Sequence, residues 1–365
     1  METYVLDANA IREDFRFTRN PGRLLLREAR EERIRLVVPQ IAFDEAVNLY
    51  REAIEEEKRA VRQARSRLER LGVSSGQGEE LDVDATVAAY SSELATLLSS
   101  AHANIHPYPS VSHEMVARRA MRRDRPFDPK GKDGYRDTLL WETVLELCAE
   151  HAPIVLVSAD NAAFSAKGTV DLLPELVQEV TEKGCPPASV RRIRHIEDFT
   201  STLPTVPWAK LAVEHLLSAN EEVRESVAEV LAEDAADFSQ TETSVPGLPL
   251  EVDQLYIDAV HSVTDFTVVA AQTLEGEDVA VDLNAYMEVS LEVFVRKGDA
   301  YGYQGDELRI VDYDYNESFA SGVEDRTLLV EFEAVYRPQE PRLEDIRVYN
   351  YLPEVAISTT GGAFT

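Results

Sequence analysis

Tyr4-Val5-Leu6 runs without a break into Asp7-Ala8-Asn9. A short continuous apolar run is the pattern of a strand buried on both faces, as in a parallel sheet. Open α/β sheets bind their ligands outside the C-terminal ends of such strands. A carboxylate at that position raises one question about the rest of the chain, namely whether other carboxylates converge on Asp7.

The following segments read as strand and helix in alternation. Asn9 can cap the next helix by accepting from a free backbone N–H, and that helix runs through Leu24-Leu25-Leu26-Arg27-Glu28-Ala29-Arg30. Ile34 to Pro39 is a second short strand, which makes a βαβ unit. Pro39 ends it and suits the first turn of the next helix. Asp44 and Glu45 follow on the same rim as Asp7. One long helix is expected from Glu45 to about Leu71, with glutamates ahead of arginines at helical spacing. A Gly- and Ser-broken loop over 73–82 and a returning helix over 83–103 make an arm. A third helix carries Met115 to Arg123, and a basic loop leads to an amphipathic helix over Tyr135–Leu147. Ile154-Val155-Leu156-Val157 is the most apolar strand and ends in Ser158-Ala159-Asp160. A helix over Asp171–Lys183 and a strand over Val190–Ile196 complete this half.

The second half has a different texture. Residues 205–240 read as a connecting helix broken near Asn220, and Gln240 to Leu248 as a linker. Beyond it come strand patterns at 255–257, 266–269, 287–295, 308–311, 327–335 and 347–349, separated by turn signals. The 365 residues are enough for two domains. The expected division is 1–203 with the arm at about 45–121, a connector over 204–245, a β-rich domain over 246–352 and a tail over 353–365. Charge divides the same way. Residues 1–200 hold 28 Lys and Arg against 34 Asp and Glu, a net of −6, whereas 201–365 hold 9 against 33, a net of −24. Only the first half offers a phosphate chain a tolerable surface. The acidic half reads as a module for a protein partner or self-association. No apolar run reaches membrane-spanning length, and two cysteines, Cys148 and Cys185, make neither a disulfide framework nor a zinc site. The expected location is the cytoplasm, with no membrane partner.

Asp7, Glu45, Asp137 and Asp160 all stand at strand ends or at the starts of the following helices. Acids gathered with little cation between them are costly to ionise. A hard divalent cation is the usual relief, and Mg²⁺ takes a few carboxylates together with water and substrate phosphates. A site of this kind hydrolyses phosphodiesters.

In these motifs the chain resembles the PIN-domain nuclease superfamily, and within it a bacterial PIN-like subgroup with a helical insertion. The resemblance spans roughly residues 1–200. It rests on Leu6-Asp7-Ala8-Asn9, on Val38-Pro39 followed by Asp44-Glu45, on Arg125-Pro126-Phe127 leading to Gly134-Tyr135-Arg136-Asp137-Thr138-Leu139-Leu140-Trp141-Glu142, and on Ser158-Ala159-Asp160 with Phe164. Many members carry Thr or Ser where this chain has Ala8, which removes one hydroxyl. The resemblance implies an α/β fold, a parallel sheet flanked by helices with a helical-hairpin insertion, to which this chain adds a second, mostly β domain. It also implies a Mg²⁺- or Mn²⁺-dependent endoribonuclease whose metal is held by Asp7, Glu45, Asp137 and Asp160. Asn9 and Ser158 would orient Asp7 and Asp160 from behind. Asp133 would join them or cap the helix that carries Asp137, and Asp44 is an alternative to Glu45.

Arg118, Arg119, Arg122, Arg123, Arg125, Lys130, Lys132 and Arg136 lie just upstream of a proposed ligand and form the expected nucleic-acid footprint. The competing reading is a solvated helix face. RNA is the expected substrate, single-stranded or looped, because an RNA reader needs unpaired bases. Nothing in these residues excludes a structure-specific DNA nuclease or a non-catalytic PIN-like scaffold. His102, His106 and His113 lack clean metal spacing and read as ordinary polar residues.

Overall fold

A computed structural model describes all residues except 72–80, 128–129, 131–133, 167–168, 245–250, 275, 304–307 and 354–365. The chain divides into two units, Met1–Leu203 and Pro204–Thr365.

The first unit begins with β1 (Thr3–Leu6), α1 (Ala8–Arg12), α2 (Asn20–Arg30), β2 (Arg35–Pro39), α3 (Gln40–Arg70) and α4 (Val83–Ser100). It continues with β3 (Asn104–His106), α5 (His113–Arg122), α6 (Tyr135–His151), β4 (Ile154–Val157), α7 (Asn161–Phe164), α8 (Pro174–Glu182), β5 (Val190–Ile193) and α9 (Ile196–Thr200). The five strands form one sheet in the order β3-β2-β1-β4-β5, and every pairing is parallel. The chain leaves β1 toward β2 on one side and takes up β4 on the other, so the switch point lies at the C-terminal end of β1.

Continuous apolar strands form here because both faces are covered. Tyr4, Leu6, Val155 and Val157 pack on one side with Ile11, Leu25, Ala46 and Leu98. Val5, Ile154 and Leu156 pack on the other with Trp141, Val144, Leu145 and Leu176. A fully buried Leu or Ile contributes about 1.5–3 kcal/mol. Such cores anchor the rim residues that follow the strands. The α3–α4 hairpin ends at Ser100, earlier than the expected arm, because Asn104–His106 returns to the sheet as an edge strand beside β2. Gly134 caps α6 at φ 127°, and a Cβ there would stand 2.5 Å from Phe127 Cα. That close approach joins the segment before α6 to its first turn.

The second unit holds α10 (Pro207–Ala219), α11 (Glu221–Ala236), β6 (Ser239–Ser244), β7 (Glu251–Thr273), β8 (Val279–Arg296), α12 (Lys297–Gly302), β9 (Arg309–Asp312), β10 (Phe319–Arg337) and β11 (Arg342–Pro353). Its antiparallel sheet runs β11-β10-β8-β7-β6, with β9 paired to β10. Residues 205–240 do not merely connect. Ala209, Val213, Leu217, Val227, Leu231 and Ala235 repeat at helical spacing and are buried in one core with Val281, Leu283, Met287, Val289, Val330 and Phe332 of the sheet. Asn220 separates the two helices and caps the second through Val223 N–H. The expected linker from Gln240 belongs in its first part to β6, a polar edge strand paired to β7, while 245–250 lie outside the described residues. The strand patterns at 255–257 and 266–269 are parts of the single strand β7. Its ladder shifts register between Thr264 and Thr267, where Asp265 takes φ 54°. The expected tail lies outside the described residues from 354 onward. Among the described residues no helix is long and apolar enough to cross a membrane.

Candidate active site

A cleft of about 370 Å³ opens at the C-terminal end of the first unit's sheet, lined by Asp7, Glu45, Asp137 and Asp160 among others. The four acids come from four separate pieces of chain. Asp7 ends β1 and caps α1, accepting from Ala8 N at 2.7 Å. Glu45 lies in the second turn of α3, Asp137 in the first turn of α6, and Asp160 caps α7 by accepting from Ala163 N at 2.9 Å.

Asn9 and Ser158 fasten Asp7. The Ser158 hydroxyl donates to Asp7 Oδ2 at 2.6 Å, and Asn9 Nδ2 donates to the same oxygen at 2.9 Å. Asn9 Oδ1 in turn accepts from Ala159 N at 3.1 Å, and the Asp160 N–H reaches Ser158 Oγ at 3.2 Å. The ends of β1 and β4 are thus bound to each other by the residues that carry the acids. Behind them stands Arg192, a buried cation on β5 that sequence reasoning missed. It donates to Ser158 O at 2.8 Å, Ser165 Oγ at 2.7 Å and Asn161 Oδ1 at 2.8 Å. The available signal was its place in the strand, two residues from buried Val190 and so on the same face.

The cleft disfavours negative charge. Burial pushes the Asp7 carboxyl from 3.8 up to about 6; the Ser158 and Ala8 hydrogen bonds lower it, and Glu45 and Asp160 raise it. Asp137 rises further, to about 7, through burial and the charges of Asp160, Asp7 and Glu45. Glu45 is also raised, chiefly by burial, with Arg136 opposing. Arg136 forms an ion pair with Glu45 inside the cleft. Exposed Arg12 and Tyr135 also line it; Arg12 was not picked out from sequence, and Tyr135 only as part of the third motif.

In the second acidic motif it is Glu45 that lines the cleft. Asp44 is exposed and faces away, accepting from Gln40 Nε2 at 2.8 Å and from the Tyr108 hydroxyl at 2.6 Å. Asp133 and Lys132 lie outside the described residues. The basic segment divides. Arg119 stands apart from the expected footprint: its side chain is 10% exposed, bonded to Glu179 at 2.6 Å and to the Arg125 carbonyl, with Glu142 at 3.5 Å. A guanidinium so enclosed braces α5 against α6 and α8 and has no charge to offer a phosphate. Arg118 pairs with Glu114 one turn earlier, and Arg125 donates to Ala162 O at 2.6 Å. Arg122, Arg123 and Lys130 are exposed.

All four acids supply hard oxygen donors of the kind Mg²⁺ and Mn²⁺ take. A tighter cluster, Glu13, His195 and Glu197, has its ligand atoms within 4.8 Å of one another, and among the described residues no three of the cleft acids are gathered that closely. It is already satisfied internally, since His195 Nδ1 lies 2.7 Å from Glu13 and Arg19 lies 3.3 Å from Glu197.

The family model of the PIN domain matches residues 5–164. This segment is a PIN domain. The match begins one residue into the apolar core of β1 and ends at Phe164, so it encloses all four acids and the α3–α4 hairpin. PIN domains have a nuclease-type fold and generally use divalent metal ions. No curated protein and no solved structure matches the chain.

Proposed function

We propose that this PIN domain is a divalent-cation-dependent endoribonuclease, with Asp7, Glu45, Asp137 and Asp160 holding Mg²⁺ or Mn²⁺. The observation that carries the reading is the convergence of four acids from four chain segments on one cleft, where they oppose each other's ionisation. Chains do not gain stability from such an arrangement, and a cation offsets it. A bound ion supplies Lewis-acid activation of water and neutralises charge at the leaving oxygen.

The chain's own groups do the positioning. Ser158, Asn9 and the Ala8 N–H hold both oxygens of Asp7 in one orientation. Arg192 holds the main chain of Ser158, and the N-terminal turn of α7 holds Asp160. Arg136 neutralises Glu45 in the cation-free protein and is placed to turn to a substrate phosphate once Glu45 has another counter-charge. Exposed Arg12 on the rim, with Arg122, Arg123 and Lys130, gives the flanking phosphates their contacts.

The test is incubation of the purified protein with single-stranded RNA, duplex RNA, and single- and double-stranded DNA in Mg²⁺, Mn²⁺ or EDTA. Internal cleavage of single-stranded RNA that needs the cation and disappears in Asp7→Asn is the expected result. Cleavage confined to DNA would replace the substrate. Cleavage that survives exhaustive chelation would sink the carboxylate mechanism, and tight binding without cleavage in either metal would leave a scaffold.

A further inference from the structure

Next to the acid cleft lies an apolar groove of about 380 Å³, lined by Ile41, Tyr108, Pro109, Val111, His113 and Tyr135 among others. Tyr135 lines both, so the two hollows meet at this residue. We propose that this groove is a subsite for one unpaired base of the RNA strand, next to the phosphate that is cut; the proposal rests on the nuclease reading above.

Four observations carry it. Tyr108 and Tyr135 are 49% and 48% exposed, so two aromatic rings are left partly in water at the mouth of an apolar hollow. Both are tied to residues that flank the acids. The Tyr108 hydroxyl donates to Asp44 at 2.6 Å, one residue before Glu45, and Tyr135 opens α6 two residues before Asp137. Third, the polar groups suit a base edge. The His113 ring lies 6.5 Å from the Tyr135 ring at an interplanar angle of 48°, and among the described residues nothing hydrogen-bonds its imidazole or the Tyr135 hydroxyl. Fourth, no carboxylate and no Lys or Arg lines the groove among the described residues, whereas the adjoining cleft holds both. A strand whose phosphate lies over the acids meets charge in one hollow and flat apolar surface in the next, and a nucleotide has that same division. Bases stack on such rings with little sequence preference, and the two ring nitrogens of His113 then give a preference by hydrogen bonding.

The test uses the full-length protein in Ca²⁺, with short single-stranded RNAs carrying one abasic position that is moved along the strand. Stacking on aromatic side chains contributes enough for an abasic position to weaken binding about 5- to 150-fold. We expect this loss at one position, beside the bond cut in Mg²⁺. Tyr135→Ala and Tyr108→Ala should bind the intact strand as weakly as the wild type binds the abasic one, and Tyr135→Phe should restore the difference. A 2-aminopurine at that position should be quenched by the wild type only. Uniform affinity across the abasic series, with Mg²⁺-dependent cleavage intact, overturns the subsite and leaves the nuclease reading standing; the groove then belongs to a protein partner. Failure to bind or cut any RNA overturns both. The abasic series is read on the wild-type protein, so a variant that misfolds does not decide the outcome.

Discussion

Asp137→Asn should stabilise the cation-free protein, and the size of the effect follows from the cleft. Among the described residues no hydrogen bond reaches the Asp137 carboxylate, so the amide loses no partner. Burial and three neighbouring acids raise its pKa from 3.8 to about 7. One unit corresponds to about 1.4 kcal/mol, so ionising Asp137 in the folded chain costs about 4 kcal/mol at full development. The side chain is half-buried, and solvent screening brings the expected gain to about 2 kcal/mol at pH 8. The sign is set by the raised folded pKa. The stability of the protonated acid is fully present below 3.8 and is lost as pH rises through about 7, so the gap between variant and wild type opens across that window and is closed at pH 3.5. For a unit of this size about 2 kcal/mol is about 4–8 °C in Tm. Fluorescence of buried Trp141 in a Trp208→Phe background follows the first unit alone, because these are the chain's two tryptophans. Mg²⁺ should raise the Tm of the wild type more than that of the variant and narrow the gap. Equal melting at pH 8 without metal, or a gap that widens toward acid, would refute the reasoning.

Ser158→Ala removes the 2.6 Å bond to Asp7 and should weaken cation affinity about 10–100-fold by isothermal titration, with the fold unchanged by circular dichroism. Arg119→Gln leaves Glu142 only the longer contact to Lys183 at 3.9 Å and should cost about 1–3 kcal/mol in urea unfolding. Arg122→Gln with Arg123→Gln should leave stability within about 0.5 kcal/mol but lower the slope of log affinity against log salt by about 1 for each phosphate left without its arginine. Gly134→Ala brings a Cβ against Phe127 at a φ of 127° and should destabilise the first unit by about 2 kcal/mol, read as a lower urea midpoint with unchanged slope.

The sheet of the first unit was legible because its central strands are buried on both faces, and a short unbroken apolar run bounded by polar residues suits few other places in a fold. The convergence of the acids on one rim was legible for a related reason: Asp7 follows directly on such a strand, Asp137 and Asp160 stand at helix starts, and Glu45 lies one turn into α3. Phase was not legible. Asp44 and Glu45 are neighbours in sequence but about 100° apart around α3, and only packing decides which enters the cleft. Arg118-Arg119 and Arg122-Arg123 look alike in a row, yet the turn of α5 sends Arg119 inward to Glu179 and leaves Arg122 and Arg123 outside. A basic run on a helix therefore overstates its free charge. In the second unit the polar stretch in the middle of β7 hid a continuous strand, because a register shift accommodates residues that would otherwise mark a turn. Residues 205–240 were read as a connector because their apolar positions are spaced four apart and diluted by glutamates, and the sheet they cover was not yet in view.

The bond between Ser158 and Asp7 closes a span of 151 residues. At about 5–20 residues per second, a ribosome needs roughly 8–30 s to travel from one to the other. For that interval the first strand has no partner on its β4 side, Asp7 has no hydroxyl to fasten it, and Asp160 does not yet exist. Until β4 docks, a nascent chain of this protein therefore lacks both the hydroxyl that fastens Asp7 and the fourth acid of the cleft.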